Sequence, residues 1–125
     1  MKKRESKLWL RIKNLKLKGQ IFRIESNTIN GIPDIYYLKN SKSIWIELKS
    51  NQDKNLGLSK YQINWHIDHF NNGGQSFILL QDLSQKLLKL FKSNETRVVE
   101  LVASGEDTEA TLILFFDKMT WQRDA

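Results

Sequence analysis

Asn30-Gly31-Ile32-Pro33-Asp34, followed by Ser43-Ile44-Trp45-Ile46-Glu47-Leu48-Lys49, is the stretch that decides the fold of this chain. Asn27–Pro33 has the composition of a turn. Asp34–Leu38 and Ser43–Lys49 are apolar and β-branched enough to be strands, and Lys39-Asn40-Ser41-Lys42 between them makes a β-hairpin. Alternate residues of a strand share a face, so Glu47 and Lys49 project together while Ile44, Ile46 and Leu48 pack on the other side. Hairpin pairing brings the Asp34 carboxylate beside Glu47. Two carboxylates converging on one spot repel unless a cation sits between them. Hard oxygen ligands select Mg²⁺ or Mn²⁺, completed by water and a phosphate oxygen. A lysine beside such an ion can offset charge building on phosphorus or help to position an attacking water.

Upstream of this hairpin, Leu8, Trp9, Ile12 and Leu15 share one side of a helix over residues 4–18, although Leu8, Leu10 and Ile12 also alternate as a strand would. Gly19 closes that segment, and Gln20–Glu25 alternates as a strand. Downstream, Asn51–Leu58 is a polar loop. Ser59 with Gln62 forms a capping-box pattern that opens a helix bearing Ile63, Ile67 and Phe70, stopped by Gly73-Gly74. Ser76–Leu80 is the nearly continuous apolar strand expected at the centre of a covered sheet. Asp82 with Gln85 predicts another capped helix, carrying Leu83, Leu87, Leu90 and Phe91. Thr96–Val102 and Thr111–Asp117 predict two further strands. The order α-β-β-β-α-β-α-β-β indicates an α/β sandwich around a central mixed sheet.

The composition narrows the chemistry. The 125 residues are enough for one domain, spanning 1–125, and are 40% hydrophobic and 27% charged. With no Cys, disulfides, thiolate catalysis and cysteine-based zinc sites are excluded. No apolar run reaches the roughly 20 residues of a membrane helix, and the basic N-terminus lacks a secretory h-region, so an intracellular, cytoplasmic protein without membrane contact is expected. The net charge of +6 is uneven: residues 1–18 are strongly basic and residues 95–125 acidic. That asymmetry suits a polyanion at one face, or a solvated basic helix balanced by its tail. His66 and His69 share a helix face with Gln62, but neither spacing nor a third ligand supports a zinc site, so they are expected at the surface or facing DNA. Trp9, Trp45, Trp65 and Trp121 are expected in the core or at an interface, with base stacking open to Trp65 alone.

The pattern G-x-P-D at Gly31–Asp34, E-L-K at Glu47–Lys49, and a following helix that begins with Ser59 and carries Gln62 resembles the PD-(D/E)xK nuclease superfamily. Within it the chain is similar to the small VRR-NUC and phage Holliday-junction-resolvase-like proteins. The resemblance extends over about residues 20–81, taking in Arg23-Ile24-Glu25 and Gly73-Gly74. It implies a restriction-endonuclease-like core, a mixed β-sheet flanked by helices. It also implies that Asp34, Glu47 and the Leu48 carbonyl bind Mg²⁺ or Mn²⁺, that Lys49 is the catalytic lysine, and that Gln62 approaches the site.

Many superfamily members add an upstream acid. Glu5 on the first helix and Glu25 on the adjoining strand compete for that role, and the Arg-x-Glu directly before the turn favours Glu25. The implied activity is metal-dependent, structure-selective hydrolysis of DNA, first of four-way junctions, in the host cytoplasm for a phage-encoded protein. Flap, fork or duplex cleavage, or DNA binding without catalysis, are the alternatives. Arg23, Lys54, Ser59 and Lys60, with Lys39, Lys42 and the basic first helix, are expected to follow the sugar–phosphate backbone. A homodimer is expected because a junction needs two cuts. Its material is sought in the strand pair of residues 96–125, at Val98, Val99, Leu101, Leu112, Leu114, Phe115 and Phe116.

Overall fold

The computed structural model describes residues 3–26, 28–52, 55–95 and 100–120. Along the chain these form α1 (Lys3–Asn14), β1 (Gln20–Arg23), β2 (Ile35–Lys39), β3 (Lys42–Asn51), α2 (Lys60–Asn71), β4 (Ser76–Asp82), β5 (Leu87–Lys92), β6 (Glu100–Glu106) and α3 (Glu109–Thr120). The strands make one six-stranded sheet in the order β1-β2-β3-β4-β5-β6. Neighbours are antiparallel except β3 and β4, which are parallel. Helix α2 is the crossover that parallel neighbours require.

The competition at the N-terminus resolves as a helix. Glu5, Leu8, Trp9 and Ile12 are its buried positions, spaced i, i+3, i+4, i+7, while Leu10 points to solvent. The hairpin closes with Lys39 opposite Lys42, leaving Asn40 and Ser41 at φ 53° and 66°. Two consecutive positive φ values make the tight turn whose twist matches the strands it joins.

Two expectations of secondary structure are corrected. Residues 83–86 form a tight turn and residues 87–92 a strand, where a helix was expected. Asp82 Oδ1 accepts from the backbone N–H of Ser84 and of Gln85, both at 3.1 Å, and from the Ser84 hydroxyl at 2.7 Å. The Asp82–Gln85 pattern is thus used to turn the chain back, with Lys86 at φ 54°, and Leu88 and Leu90 then alternate into the core. The second correction is α3, which replaces the strand expected at 111–117. Leu112, Phe115, Phe116 and Met119 are buried at helical spacing, and Thr108 Oγ1 accepts from the Thr111 N–H at 3.2 Å to start the helix. The C-terminal strand pair is therefore one strand, β6, and one helix; Thr96–Val99 and Trp121 lie outside the described residues.

Helices α1 and α3 pack on one face of the sheet, against Ile35, Tyr37, Ile44, Ile46, Leu48, Phe77, Leu79, Leu88 and Leu90. Tyr37 lies edge-on to Phe116 at 5.5 Å. Helix α2 lies on the opposite face, where His66 is fully buried and Nδ1 sits 2.6 Å from Ser76 Oγ. The expectation of a surface or DNA-facing His66 is corrected: the residue belongs to a buried polar chain that continues from Ser76 Oγ to Ser93 Oγ at 2.9 Å. His69 stacks on Trp65 at 4.6 Å. The acidic C-terminal region does not stand apart from the basic start. Arg11 pairs with Asp107 at 2.8 Å and Glu109 at 2.7 Å. Asp107 also accepts from Gln81 (2.9 Å), whose Oε1 accepts from Ser50 on β3 (2.7 Å). That chain of bonds fastens α1 to the central strands.

Candidate active site

The site is built where the β2–β3 ladder stops. Ile35 pairs with Ile46, so continuing the register would set Pro33 opposite Leu48. Proline has no N–H to offer, and the ladder ends there. The Leu48 N–H donates instead to the Asp34 carboxylate, Oδ2, at 2.8 Å. This bond holds Asp34 at the end of the sheet, next to Glu47.

Glu47 is buried, and its Oε1 has no hydrogen-bond partner. Burial, then the hydrogen bond that its protonated carboxyl donates to the Asp34 carboxylate, and the Asp34 charge, push its pKa up to about 10; Lys49 opposes the shift and Glu5 adds to it. Lys49 occupies the same face of β3 two residues on, and its Nζ lies 3.4 Å from the Gly57 carbonyl. The Leu48 side chain is buried in the core, so only its backbone can serve the site.

The two competing acids are placed differently. Glu5, in the first turn of α1, is 6% exposed, and its Oε2 is buried without a partner. It is close enough for its charge to act on Glu47. Glu25 has a side chain that is 73% exposed and pairs with Arg23 at 3.0 Å, on the rim of the cleft. The exposed acid thus lies on the rim of the cleft, and the buried one on α1. The sequence signal for it was present: an acid occupying one position of an otherwise apolar helical stripe.

Asp34, Glu47, Gln62, Ser59 and Glu25 line one cleft of about 630 Å³. Ser59 and Gln62 make the expected capping box. The Ser59 hydroxyl accepts from the Gln62 N–H at 3.2 Å, and Gln62 Oε1 accepts from the Ser59 N–H at 2.9 Å. Capping uses Oε1 and leaves Nε2 as the end of Gln62 suited to a ligand. Gly31 explains why α2 begins here. It has φ 82°, and a Cβ on it would overlap the Tyr61 carbonyl group and lie 2.8 Å from the Gln62 nitrogen. The G-x-P-D turn therefore rests directly on the first turn of α2.

Of the residues expected to follow a nucleic-acid backbone, Arg23 is paired with Glu25, Ser59 caps α2, and Lys60 Nζ lies 5.2 Å over the Tyr61 ring. Lys39 pairs with Asp117 at 3.6 Å. Lys54 lies outside the described residues. Lys3, Arg4, Lys7 and Lys13 are exposed on α1.

These residues fit a divalent cation. The donors are hard oxygens, and buried, unpartnered oxygens on both Glu47 and Glu5 call for a positive charge. Among the described residues no three His, Asp or Glu side chains form a ready cage. An ion here would depend on Asp34, Glu47, backbone oxygen, water and substrate, the mixed shell that Mg²⁺ usually keeps.

No protein-family model matches the chain, and no curated protein matches it. Among solved structures, the Holliday junction resolvase Hjc of the archaeal hyperthermophile Archaeoglobus fulgidus is similar in structure. The TM-score is 0.54 at 15% sequence identity, over 89% of this chain and 93% of that one. No helix among the described residues is long and apolar enough to cross a membrane. The mixed six-stranded sheet with helices on both faces is the restriction-endonuclease-like fold shared with Hjc.

Proposed function

We propose that this chain is a metal-dependent endonuclease that hydrolyses phosphodiester bonds of branched DNA, four-way junctions first, and that it does so as a homodimer. The observation that carries the reading is the pairing of Asp34 with Glu47 in one cleft, with Lys49 on the same strand face. The likeness of fold to a junction resolvase supports the choice of substrate. Within that fold the resemblance of the Gly31–Asp34, Glu47–Lys49 and Ser59/Gln62 pattern supports reading the chain as one of the VRR-NUC and phage resolvase-like nucleases.

Asp34, Glu47 and the Leu48 carbonyl would hold Mg²⁺ or Mn²⁺, which when bound lowers the pKa of water and neutralises phosphate charge. Asp34 is oriented for this by the Leu48 N–H. Lys49 offsets negative charge on the phosphorane-like transition state and hydrogen-bonds its oxygens. Gln62 Nε2 orients water or phosphate from the α2 side. Glu5 is taken as the additional acid in place of Glu25, because it is buried with an unpartnered oxygen whereas Glu25 is exposed and paired with Arg23. The exposed bases of α1 provide long-range attraction for the polyanion.

The test is cleavage of labelled four-way junction, flap, fork and linear duplex in Mg²⁺, Mn²⁺ or EDTA. Metal-dependent, paired cuts in the junction are expected. Preferential cutting of flap or fork moves the substrate but keeps the chemistry, and salt-sensitive binding without any cleavage leaves a DNA-binding module.

A further inference from the structure

Ile29 and Tyr61 line the cleft that holds Asp34 and Glu47, one from the turn at residues 28–31 and the other from the first turn of α2. Ile29 is 53% exposed and Tyr61 49%. A lone exposed apolar side chain is ordinary. Here two of them, on different elements, border the cleft around the paired carboxylates, whose lining also includes half-buried Ile24 and Ile32. The turn that carries Ile29 is seated on the first turn of α2, because Gly31 packs without a Cβ against the Tyr61 carbonyl. Lys60 lies over the Tyr61 ring and brings a cation to the same rim.

We propose that Ile29 and Tyr61 clamp a nucleobase that has left the helical stack, beside the phosphate attacked over Asp34 and Glu47. The inference rests on the nuclease reading and narrows its substrate to DNA with an unstacked nucleotide at the cut. The cleft, at about 630 Å³, falls within the roughly 300–1,000 Å³ that takes one small ligand, the scale of a single nucleotide. A paired base in a duplex has both faces covered by its neighbours. Only a nucleotide at a branch, bulge or end offers a face to Tyr61 without first breaking pairing and stacking. Stacking on an aromatic ring accepts every base, so the clamp selects DNA structure without reading sequence. Lys60 is placed to meet the phosphate that flanks the clamped base.

The experiment uses the full chain and a duplex with one unpaired 2-aminopurine, against the same sequence fully paired. Binding is read by 2-aminopurine fluorescence in EDTA, and cleavage by product analysis in Mn²⁺. The expected results are quenching on binding and cleavage within a nucleotide of the bulge, faster than in the paired duplex. Tyr61→Ala and Ile29→Ser should each lose the quench and reduce the bulged-to-paired ratio about tenfold. Tyr61→Phe should keep both, and circular dichroism should find all three folded. Retention of quench and ratio in Tyr61→Ala and Ile29→Ser overturns the clamp and leaves the nuclease reading standing. A wild type that shows no quench also overturns it, whatever it cleaves. A quench that Tyr61→Ala abolishes, in a protein that cuts no DNA, supports the clamp and sinks the nuclease reading.

Discussion

The Leu48 N–H donates to Asp34 Oδ2 at 2.8 Å, so a side chain takes the place that a strand carbonyl would fill if Pro33 allowed the ladder to continue. One bond thereby ends the β2–β3 pairing and presents a carboxylate to Glu47. Asp34→Asn keeps an acceptor for Leu48 and removes the charge, whereas Asp34→Ala removes both. Cleavage is expected to fall by about 10²-fold or more in either variant. Asp34→Ala should in addition lose about 1 kcal/mol or more of stability that Asp34→Asn retains, because a backbone donor loses its partner. Titration calorimetry with Mn²⁺ should find weakened binding in both. Lys49→Ala should be inactive with metal binding largely kept. Unchanged Mn²⁺ affinity in Asp34→Asn would remove the residue from the metal site.

The choice between Glu5 and Glu25 is open to a direct comparison. Glu5 is buried with an unpartnered oxygen, while Glu25 is exposed and ion-paired with Arg23. Glu5→Gln should lower cleavage about 10²-fold, and it should stabilise the metal-free protein by removing an uncompensated buried acid. Glu25→Gln should change activity only slightly. The reverse ranking in a side-by-side cleavage assay would return the role to Glu25.

Why the site was legible and the C-terminal half was not follows from what each depends on. The hairpin, the E-x-K face and the capping box are local: strand alternation fixes Glu47 with Lys49, and Ser59 with Gln62 needs no partner beyond its own helix. Asp82 and Gln85 have the same local spacing, yet the Asp82 carboxylate bonds a tight turn, because the next segment pairs with β4. Leu87, Leu90 and Phe91 suggest a helix, but Leu88 and Leu90 are the pair that the sheet buries. At 111–117 a run rich in Leu, Ile and Phe reads as strand. Leu112, Phe115 and Phe116 already have the spacing i, i+3, i+4, and Met119 extends it to i+7, but the uninterrupted apolar run hides which of its residues are buried. Between Glu5 and Glu25 sequence proximity favours Glu25, whereas the burial of Glu5 where α1 packs on the sheet is a tertiary property that no local pattern carries.

Salt dependence should separate the bases that meet DNA from those that hold the fold. Binding should weaken with a log–log slope of about −0.9 per phosphate neutralised on duplex. Reversing Lys3, Arg4 and Lys7, exposed on α1, should flatten that slope while leaving thermal stability nearly unchanged. Arg11→Glu is a different experiment, because Arg11 is bound to Asp107 and Glu109. It should lower the melting temperature through lost pairing between α1 and the turn before α3. A slope indifferent to the triple reversal would make α1 a solvated face with no part in binding.

The proposed dimer must use a surface other than most of the one first suggested. Leu112, Phe115 and Phe116 are in the monomer core, and Val98 and Val99 lie outside the described residues. Adjacent Ile113 and Leu114 remain on the outer side of α3, with Leu114 66% exposed, and Leu101 is exposed on β6. Light scattering at micromolar concentration is expected to give twice the chain mass. Leu114→Glu should reduce it to one, since two neighbouring apolar side chains make a larger patch than Leu101 alone. A wild-type monomer, on and off a junction, that nicks a single strand would rule out both the dimer and symmetric resolution.

His66 should give the protein a measurable acid sensitivity. Its ring is fully buried between α2 and β4, hydrogen-bonded through Nδ1 to Ser76, and its Nε2 has no partner. Burial, with the nearby charge of His69 as a smaller cause, lowers its pKa from 6.5 to about 4. The folded state therefore holds a neutral ring while the unfolded chain takes up a proton below about pH 6.5. Where the unfolded state binds more protons, stability rises with pH, so this contribution is complete above that value and declines as pH falls towards 4. At about 1.4 kcal/mol per unit, the full span amounts to about 3 kcal/mol. Carboxylates titrate in part of the same range, so the informative quantity is a difference. Urea unfolding of the wild type and of His66→Gln, which retains an amide for Ser76, is compared at pH 7 and pH 4.5. The wild type should lose about 2 kcal/mol or more beyond what the variant loses, with an unchanged m-value. An equal loss in both would show that the ring is protonated inside the fold, and that Nε2 has found an acceptor when charged.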